Sequence, residues 1–195
     1  MEIIFATRNK GKLKEVKEIL KDYKVFGVEE IGIDIEVIED GDTFEENALK
    51  KAVEIMKATG KTVLSDDSGM EIDYLNKEPG VHSAYFLGQD TPYAERNAAI
   101  LDMLKDAKEN ERTARYIAVI AAAFPDGRRL TSKGIMEGYI GYEQKGENGF
   151  GYDPIFYPKG CEQSVAELSP EAKNKISHRG IALMEMKEML KEFKS

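Results

Sequence analysis

The stretch IIFATRNKGKLKEVKEIL, residues 3–20, contains an apolar run, a polar loop and then apolar residues at helical spacing. The apolar run predicts a short strand, and Leu13, Val16, Ile19 and Leu20 predict a helix with one buried face. A strand, a loop and a helix in this order form a βα turn. The basic residues of the loop are therefore expected at a helix N-terminus, where backbone N–H groups point outward.

The rest of the chain alternates between strand and helix patterns. Apolar runs predict strands at 24–28, 62–65, 70–74, 114–124, 130–132 and 155–157, of which 70–74 also suits a turn. The alternation of acidic and apolar residues at 34–39 predicts a half-exposed edge strand. Helices are predicted from the Thr43 cap to about Gly60, from Tyr93 to Ala107, and after Ser169-Pro170, with Ala182, Met186, Met189, Leu190 and Phe193 on the buried face of the last. A turn at Pro125-Asp126-Gly127 predicts a hairpin. The pattern indicates a mixed α/β sheet with an antiparallel part.

Length and charge limit the class of partner. With 195 residues and no linker-like tract, the chain is expected to form one domain over residues 1–195. It carries 28 Lys and Arg against 36 Asp and Glu, a net charge of −8, which argues against a nucleic-acid polymer as partner. A local cluster of lysines still suits a small phosphorylated ligand, because charges act over about 10 Å at moderate salt.

Cysteine usage and hydropathy indicate a cytoplasmic protein that does not enter a membrane. The longest apolar stretch, Tyr116 to Pro125, is shorter than the ~20 residues that span a bilayer, and we expect no secretion signal. Cys161 is the only cysteine, which excludes an intrachain disulfide and fits a reducing compartment. Because the chain has only two histidines beside this cysteine, any bound metal is expected to have oxygen ligands.

The first candidate site is the polar loop of the βα turn, Thr7-Arg8-Asn9-Lys10-Gly11-Lys12. A helix N-terminus favours anions, and lysine is unfavourable there unless an anion compensates it. Phosphate is the ligand that this loop would suit. The loop is not a Walker A motif, which requires glycine where Ala6 stands. An ordinary polar βα loop is the alternative.

The second candidate site is an acidic pair, Asp66-Asp67, followed by Ser68-Gly69 and expected at the end of a strand. Adjacent carboxylates suit Mg²⁺, which binds one or two carboxylates together with water and substrate phosphates. Neighbouring side chains of an extended chain point in opposite directions, so one Asp is expected to face a ligand while the other makes structural hydrogen bonds. An Asp-Ser-Gly turn is the alternative.

Two further candidates carry aromatic and basic side chains. The segment Gly149-Phe150-Gly151-Tyr152-Asp153-Pro154 combines glycines, which permit close approach of a ligand, with two flat rings that suit a stacked base. Lys173 and the series Ser177-His178-Arg179 offer hydrogen-bond donors to a keto oxygen or a phosphate. The alternatives are a glycine-rich turn with aromatic residues in the core and a solvated helix start.

Six blocks occur in order between residue 3 and about residue 183: Phe5 to Lys12, Thr43 to Ala48, Ser65 to Gly69, Pro79 to Ala84, Gly149 to Phe156, and Lys173 with Ile176 to Gly180. This ordered set resembles the inosine triphosphate pyrophosphatase family, which removes deaminated purine nucleotides. The resemblance implies an elongated mixed α/β fold with two lobes and a central cleft. It also implies a homodimer that uses Mg²⁺ to hydrolyse ITP, dITP and XTP to the monophosphate and pyrophosphate.

The resemblance also implies roles for individual residues. Thr7, Arg8, Asn9, Lys10, Gly11 and Lys12 match the triphosphate loop, although many members have glycine at the position of Arg8. Asp67 matches the proton acceptor and metal ligand, Glu39 aligns with the family's acidic metal partner, and Ser68 matches a substrate contact. The nucleoside and base contacts correspond to Phe150, Gly151, Tyr152, Asp153, Lys173, His178 and Arg179.

Two other functions remain open from the sequence. The phosphate loop and the acidic pair do not determine the base, so a pyrophosphatase for pyrimidine or modified nucleotides has the same features. A nucleotide-binding sensor without catalysis would keep the loop but has no need of a general base. The acidic pair Asp66-Asp67 favours an enzyme over a sensor.

Overall fold

The computed structural model describes residues 1–192, over which the chain forms six strands and five α-helices. The strands are β1 (Glu2–Phe5), β2 (Lys24–Gly27), β3 (Val63–Ile72), β4 (Thr113–Ala123), β5 (Arg129–Ile140) and β6 (Phe156–Pro158). The helices are α1 (Lys10–Ile19), α2 (Phe44–Thr59), α3 (Tyr93–Met103), α4 (Pro170–Ile176) and α5 (His178–Glu192). The strands form one sheet in the order β2-β1-β3-β4-β5-β6.

The sheet contains both parallel and antiparallel pairs. β1 pairs in parallel with β2 and with β3, so that Phe5 lies opposite Gly27 on one side and Leu64 on the other. β5 pairs antiparallel with β6, with Tyr139 opposite Tyr157. The predicted mixed α/β class is confirmed. Over residues 1–192, no helix is both long enough and apolar enough to cross a membrane.

The chain divides into two compact units. Unit 1 comprises Met1–Asp67, Ala118–Gly134 and the residues from His178 onward, and unit 2 comprises Ser68–Ile117 and Ile135–Ser177. Strands β3, β4 and β5 contribute residues to both units. The grouping of residues 1–195 into a single domain stays a prediction.

Each unit has its own apolar core. In unit 1, Val16 of α1, the C-cap residue Leu20, and Met186 and Leu190 of α5 pack with the buried residues of β1. The predicted buried face is confirmed for Val16 and Leu20 and for Ala182, Met186 and Leu190. Met189 is only half-buried, and Phe193 lies outside the described residues. The core of unit 2 is built from α3, the unit 2 parts of β3, β4 and β5, and the segment around β6.

Helix α2 has the bounds that its capping residues predict. The Thr43 hydroxyl accepts a hydrogen bond from the Glu46 N–H at 3.2 Å, and the Glu46 carboxylate accepts one from the Thr43 N–H at 3.2 Å. This reciprocal pair satisfies two N–H groups at the helix start. At the other end Gly60 has φ +62°, the left-handed conformation that terminates helices. The helix is thereby fixed at both ends by local sequence.

The strand predicted at 34–39 is wrong. The segment between residues 33 and 41 has no regular secondary structure. Its acidic side chains pair instead with cations, since Asp34 contacts Arg8 at 2.6 Å and Glu39 contacts Lys51 at 2.7 Å. An alternating charge pattern predicts a strand only when a neighbouring strand supplies ladder hydrogen bonds. Instead of ladder hydrogen bonds, side-chain ion pairs link this segment to other residues of unit 1.

The prediction that the acidic pair ends a strand is also wrong. β3 runs without interruption from Val63 to Ile72, so Asp66 and Asp67 lie inside it. The turn propensity of Asp-Ser-Gly is overridden by the continuous burial of the strand, in which only Ser68 and Glu71 are half-buried and the rest are buried. Because both residues lie inside the strand, the side chains of Asp66 and Asp67 point to opposite faces of the sheet.

The hairpin strand β5 is longer than the predicted 130–132. It also includes Gly134 and Gly138. A Cβ atom at Gly134 would overlap the carbonyl oxygen of His178, and one at Gly138 would overlap that of Tyr157. These glycines permit close approach of neighbouring backbone within a strand, and they do not mark turns.

Candidate active site

Asp66 lies in a buried chain of charges in unit 1. Its Oδ1 accepts a hydrogen bond from Lys12 Nζ at 3.0 Å, and its Oδ2 accepts one from Arg179 Nε at 3.0 Å. Arg179 also donates from Nη1 to Glu15 Oε2 at 2.6 Å. Asp66 is only 1% exposed. Its negative charge therefore lies between two neighbouring cations and balances them.

The electrostatics of Asp66 keep it ionised. Burial alone would raise the pKa of Asp66, but Lys12 and Arg179 outweigh burial and hold this pKa well below its usual range. Burial lowers the pKa of Lys12, and Asp66 opposes that lowering. A carboxylate with such a low pKa is a weak base at neutral pH. Asp66 is thus suited to hold Lys12 and Arg179, and not to accept a proton.

Asp67 has different partners from Asp66, as the alternation along β3 predicts. Its Oδ2 accepts a hydrogen bond from Nδ2 of Asn47 at 3.1 Å. The side chain is 7% exposed, and burial raises the pKa of Asp67 to about 6. Lys51 and Lys12 act to lower this pKa, and Glu39 acts to raise it. Asp67 is therefore the member of the pair whose basicity is suited to accept a proton near neutral pH.

The polar loop before α1 has a more closed geometry than predicted. Asn9 is the N-cap of α1, and its Oδ1 accepts hydrogen bonds from the N–H groups of Gly11 at 2.9 Å and Lys12 at 3.1 Å. The Thr7 hydroxyl accepts one from the Asn9 N–H at 3.1 Å. Two of the N–H groups expected to face a phosphate are thus engaged within the loop. Phosphate binding there stays a prediction, and it requires Asn9 to yield these donors or Lys12 and Lys10 to supply the contact.

Two carboxylates of unit 1 are of the ligand type that Mg²⁺ binds. Over residues 1–192 no group of three or more His, Cys, Asp or Glu side chains is placed to hold a metal ion. Asp67 and Glu39 are two carboxylates near enough that Glu39 affects the pKa of Asp67. Mg²⁺ binds in proteins through one or two carboxylates and completes its six ligands with water and phosphates. Two hard oxygen donors beside two lysines match that chemistry.

In unit 2, Asp153 organises the aromatic segment. Its Oδ2 accepts hydrogen bonds from the Phe150 N–H at 2.9 Å and from Lys173 Nζ at 2.8 Å. The Lys173 ammonium also lies 4.4 Å from the centre of the Phe150 ring, within cation–π distance. Gly149 and Gly151 have φ of +75° and +72°, which favours glycine at both positions. Phe150, Asp153 and Lys173 therefore lie together, and their contact with a base stays a prediction.

Tyr152 occupies a different environment from Phe150. It is 3% exposed, its hydroxyl donates to the carbonyl of Ser83 at 2.8 Å, and its ring meets Tyr93 edge-on at 5.2 Å. The Phe150 ring is only half-buried. Of the two rings predicted to face a base, Phe150 is thus the one with an accessible surface. A substrate contact by Tyr152 or by the neighbouring Gly151 stays a prediction.

Comparison with known proteins identifies the family. The model of the Ham1 family matches residues 3–189. The chain belongs to the Ham1 family. It is 48% identical over 192 residues to the dITP/XTP pyrophosphatase of Desulforamulus reducens, covering 97% of this chain and 96% of the relative. It is 45% identical over 191 residues to the dITP/XTP pyrophosphatase of Bacillus subtilis, covering 97% and 96%.

A solved Ham1 structure has the same fold. The HAM1 protein of Coxiella burnetii superposes with a TM-score of 0.89 at 41% identity, covering 98% of this chain and 99% of that one. The family resemblance inferred from the ordered motifs is confirmed.

Three other residues of this Ham1 chain are predicted to contact the substrate: Ser68, His178 and Arg179. Ser68 follows Asp67 in β3 and is half-buried. His178 and Arg179 open α5 and are both buried. Nε and Nη1 of Arg179 donate to the carboxylates of Asp66 and Glu15, so two residues of unit 1 hold this side chain. A contact of His178 or Arg179 with a base stays a prediction.

Three residues of the site in this Ham1 chain are absent from the sequence-based set: Glu15, Asn47 and Lys51. Asn47 and Lys51 lie four residues apart on α2, on the side that contacts Asp67 and Glu39. Asn47 interrupts an otherwise apolar stripe that includes Phe44 and Ala48. A polar residue in such a stripe is the signal that would have revealed it.

Proposed function

We propose that this chain is a nucleoside-triphosphate pyrophosphatase that hydrolyses dITP, XTP and ITP to the nucleoside monophosphate and pyrophosphate. The names of the relatives support this class of reaction. The observation that carries the proposal is that two neighbouring carboxylates of β3 have different partners. Asp66 pairs with the cations Lys12 and Arg179 at 3.0 Å, whereas Asp67 bonds to the neutral amide of Asn47, and burial raises its pKa to about 6. A pyrophosphatase needs both a general base and a cationic phosphate environment.

The proposed chemistry uses residues of unit 1 on the phosphates. Asp67 orients a water molecule and accepts its proton as the oxygen attacks the α-phosphorus, and the α–β phosphoanhydride bond breaks to release pyrophosphate. Lys12 and Lys51 supply positive charge that stabilises the departing group. Asp67 and Glu39 would hold Mg²⁺, which neutralises phosphate charge when bound. Asp66 keeps Lys12 in place through the 3.0 Å ion pair.

The proposed base selection uses residues of unit 2. Hypoxanthine and xanthine present an acceptor oxygen at position 6, whereas adenine presents an amino donor there. Lys173 can only donate, and its ammonium is already anchored by Asp153 at 2.8 Å. A keto oxygen can accept a hydrogen bond from this ammonium, whereas an amino group presents only another donor to it. The half-buried Phe150 ring provides a surface on which the base can stack.

Substrate preference tests this proposal directly. We expect kcat/KM for dITP, XTP and ITP to exceed that for ATP by at least ~10²-fold, because sites that pair with a polar group reject analogues lacking it. The measurement is phosphate release, coupled to an inorganic pyrophosphatase, across purine and pyrimidine triphosphates with Mg²⁺. Comparable rates with ATP would contradict the base assignment, and a preference for pyrimidine nucleotides would favour the alternative pyrophosphatase. No turnover of any nucleotide would indicate a sensor.

Removal of divalent metal gives a second test. We expect EDTA to stop hydrolysis and added Mg²⁺ to restore it, because two carboxylates and two lysines alone leave much of the triphosphate charge unbalanced. The control is the melting temperature in EDTA, which shows that the protein remains folded. Activity that persists after exhaustive chelation would contradict the role of Asp67 and Glu39 as metal ligands. A homodimer, which the family resemblance implies, and a cytoplasmic location, which cysteine usage predicts, belong to the same proposal.

A further inference from the structure

Asn47 is a buried polar residue that the proposed reaction does not use. It is 3% exposed and lies on the buried face of α2 with Phe44 and Ala48. An amide in such a position destabilises the fold unless both of its ends are hydrogen-bonded. Its presence in an otherwise apolar stripe therefore calls for a reason beyond packing.

Both ends of the Asn47 amide are engaged. Nδ2 donates to Asp67 Oδ2 at 3.1 Å, and Oδ1 accepts from the N–H of Gly41 at 2.8 Å. The partners fix the orientation of the amide, because a backbone N–H only donates and an ionised carboxylate only accepts. One side chain thus joins β3 to the irregular segment that precedes α2.

That segment carries Glu39, two residues before Gly41. Since residues 33–41 have no regular secondary structure, their position depends on contacts such as those from α2. Lys51, one turn beyond Asn47, holds Glu39 at 2.7 Å. Gly41 fits closely, because a Cβ atom there would lie 2.8 Å from Asn47 Oδ1 and 2.8 Å from the Glu46 Cβ. The Gly41 backbone and the Asn47 side chain therefore pack so closely that a larger residue at position 41 would disturb their hydrogen bond.

We propose that Asn47 is a positioning residue that fixes Asp67 and the Glu39 segment relative to each other, so that both carboxylates serve one divalent cation. The inference rests on the proposed function, in which Asp67 acts on water and Glu39 is a metal ligand. Residues that hydrogen-bond to metal-binding side chains commonly change metal affinity or activity by about 10- to 100-fold when they are removed. A purely structural Asn47 would affect stability alone.

The test compares Asn47→Leu, which keeps the approximate size but removes both hydrogen bonds, with Gly41→Ala, which pushes on the same contact from the other side. We expect Asn47→Leu to lower kcat for dITP about 10- to 100-fold with KM changed by less than about threefold. Gly41→Ala should lower kcat in the same way. The double variant should fall no further than Asn47→Leu, because both changes break one contact.

Thr43→Ala is the matched control. It removes the hydroxyl that caps the same helix, which lowers stability, and it leaves the side-chain hydrogen bonds of Asn47 to Gly41 and Asp67 in place. We expect its kcat to equal that of the wild type. If Asn47→Leu and Gly41→Ala also leave kcat within about threefold of the wild type, as a structural role predicts, the inference is overturned.

Binding of Mn²⁺ without nucleotide separates this inference from the proposed function. Free Mn²⁺ is followed by electron paramagnetic resonance, and we expect the half-saturating concentration to rise about tenfold in Asn47→Leu and Gly41→Ala but not in Thr43→Ala. If Asn47→Leu does not fold, Gly41→Ala carries the comparison. Should the wild type hydrolyse none of the nucleotides while the Mn²⁺ shift is present, the proposed function fails and the positioning role stands. Unchanged Mn²⁺ binding in both variants overturns the positioning role.

Discussion

Asp67→Asn is expected to abolish hydrolysis of dITP and XTP and, in the absence of metal, to raise the free energy of unfolding at neutral pH. The substitution keeps the shape of the side chain but removes the base and a metal ligand. It also removes a charge that is unfavourable where it is buried. A variant that retains more than about a tenth of wild-type kcat, equivalent to a barrier change under ~1.4 kcal/mol, would contradict the role of Asp67 as base.

The stability effect has a defined pH dependence. Burial raises the pKa of Asp67 to about 6 from an ordinary value of 3.8, so the folded protein binds this proton more tightly than the unfolded chain does. The stability contributed by the protonated group is complete below the ordinary pKa and is lost as pH rises through about 6. At pH 7.5 the loss is on the order of 3 kcal/mol, which Asn at this position avoids.

Urea unfolding in EDTA at two pH values measures this effect. We expect Asp67→Asn to be more stable than the wild type at about pH 7.5 and to lose that advantage toward about pH 4, where the wild-type carboxyl becomes protonated. Asp102→Asn, at an exposed position of α3, is the control and should change neither kcat nor stability by much. A stability gain that is independent of pH would contradict the assignment of the effect to the Asp67 charge.

The same change one residue earlier, Asp66→Asn, is expected to have the opposite effect on stability. It leaves Lys12 and Arg179 without the carboxylate that balances them, and removing one partner of a buried ion pair destabilises a protein by about 3–5 kcal/mol. Lys12 and Arg179 hold the pKa of Asp66 below its usual range, so the stability from Asp66 is present at neutral pH and is lost only in acid. Urea unfolding at about pH 7.5 gives the comparison.

Glu188→Gln is the matched control for Asp66→Asn. The pair of Glu188 with Lys191 is solvent-exposed on both sides, and breaking it should cost under about 1 kcal/mol. If Asp66→Asn destabilises the protein no more than Glu188→Gln does, the buried charge chain does not contribute as described. A destabilisation of similar size in both Asp66→Asn and Asp67→Asn would contradict the different roles of the two residues.

Elements whose signals are local could be predicted from the sequence. The bounds of α2 follow from Thr43, Glu46 and Gly60, which act on their own helix and need no distant partner. β4 follows from a run of apolar residues that only a strand covered on both faces can bury. The segment 34–39 and the continuity of β3 could not be predicted, because each depends on which chain segments lie alongside.

Prediction of the candidate site from the sequence has the same limit, because its contacts join distant parts of the chain. Alternation along β3 predicts that Asp66 and Asp67 have different partners, but it does not say which one meets the cations. That choice is made by Arg179, 113 residues away in sequence from Asp66, and by Lys12, 54 residues away. Asn47 lies in one of the six blocks, and its polar side chain within an apolar stripe marks its position as unusual. Its contacts with Gly41 and Asp67 do not follow from that spacing.

The position of bond cleavage tests the central claim most directly. Hydrolysis of dITP in water enriched in oxygen-18 labels the product that carries the attacked phosphorus, and mass spectrometry of both products locates the label. Attack at the α-phosphorus, with Asp67 accepting the proton of water, predicts one labelled oxygen in the deoxyinosine monophosphate and none in the pyrophosphate. Label in the pyrophosphate, or formation of a nucleoside diphosphate and phosphate, would contradict this account.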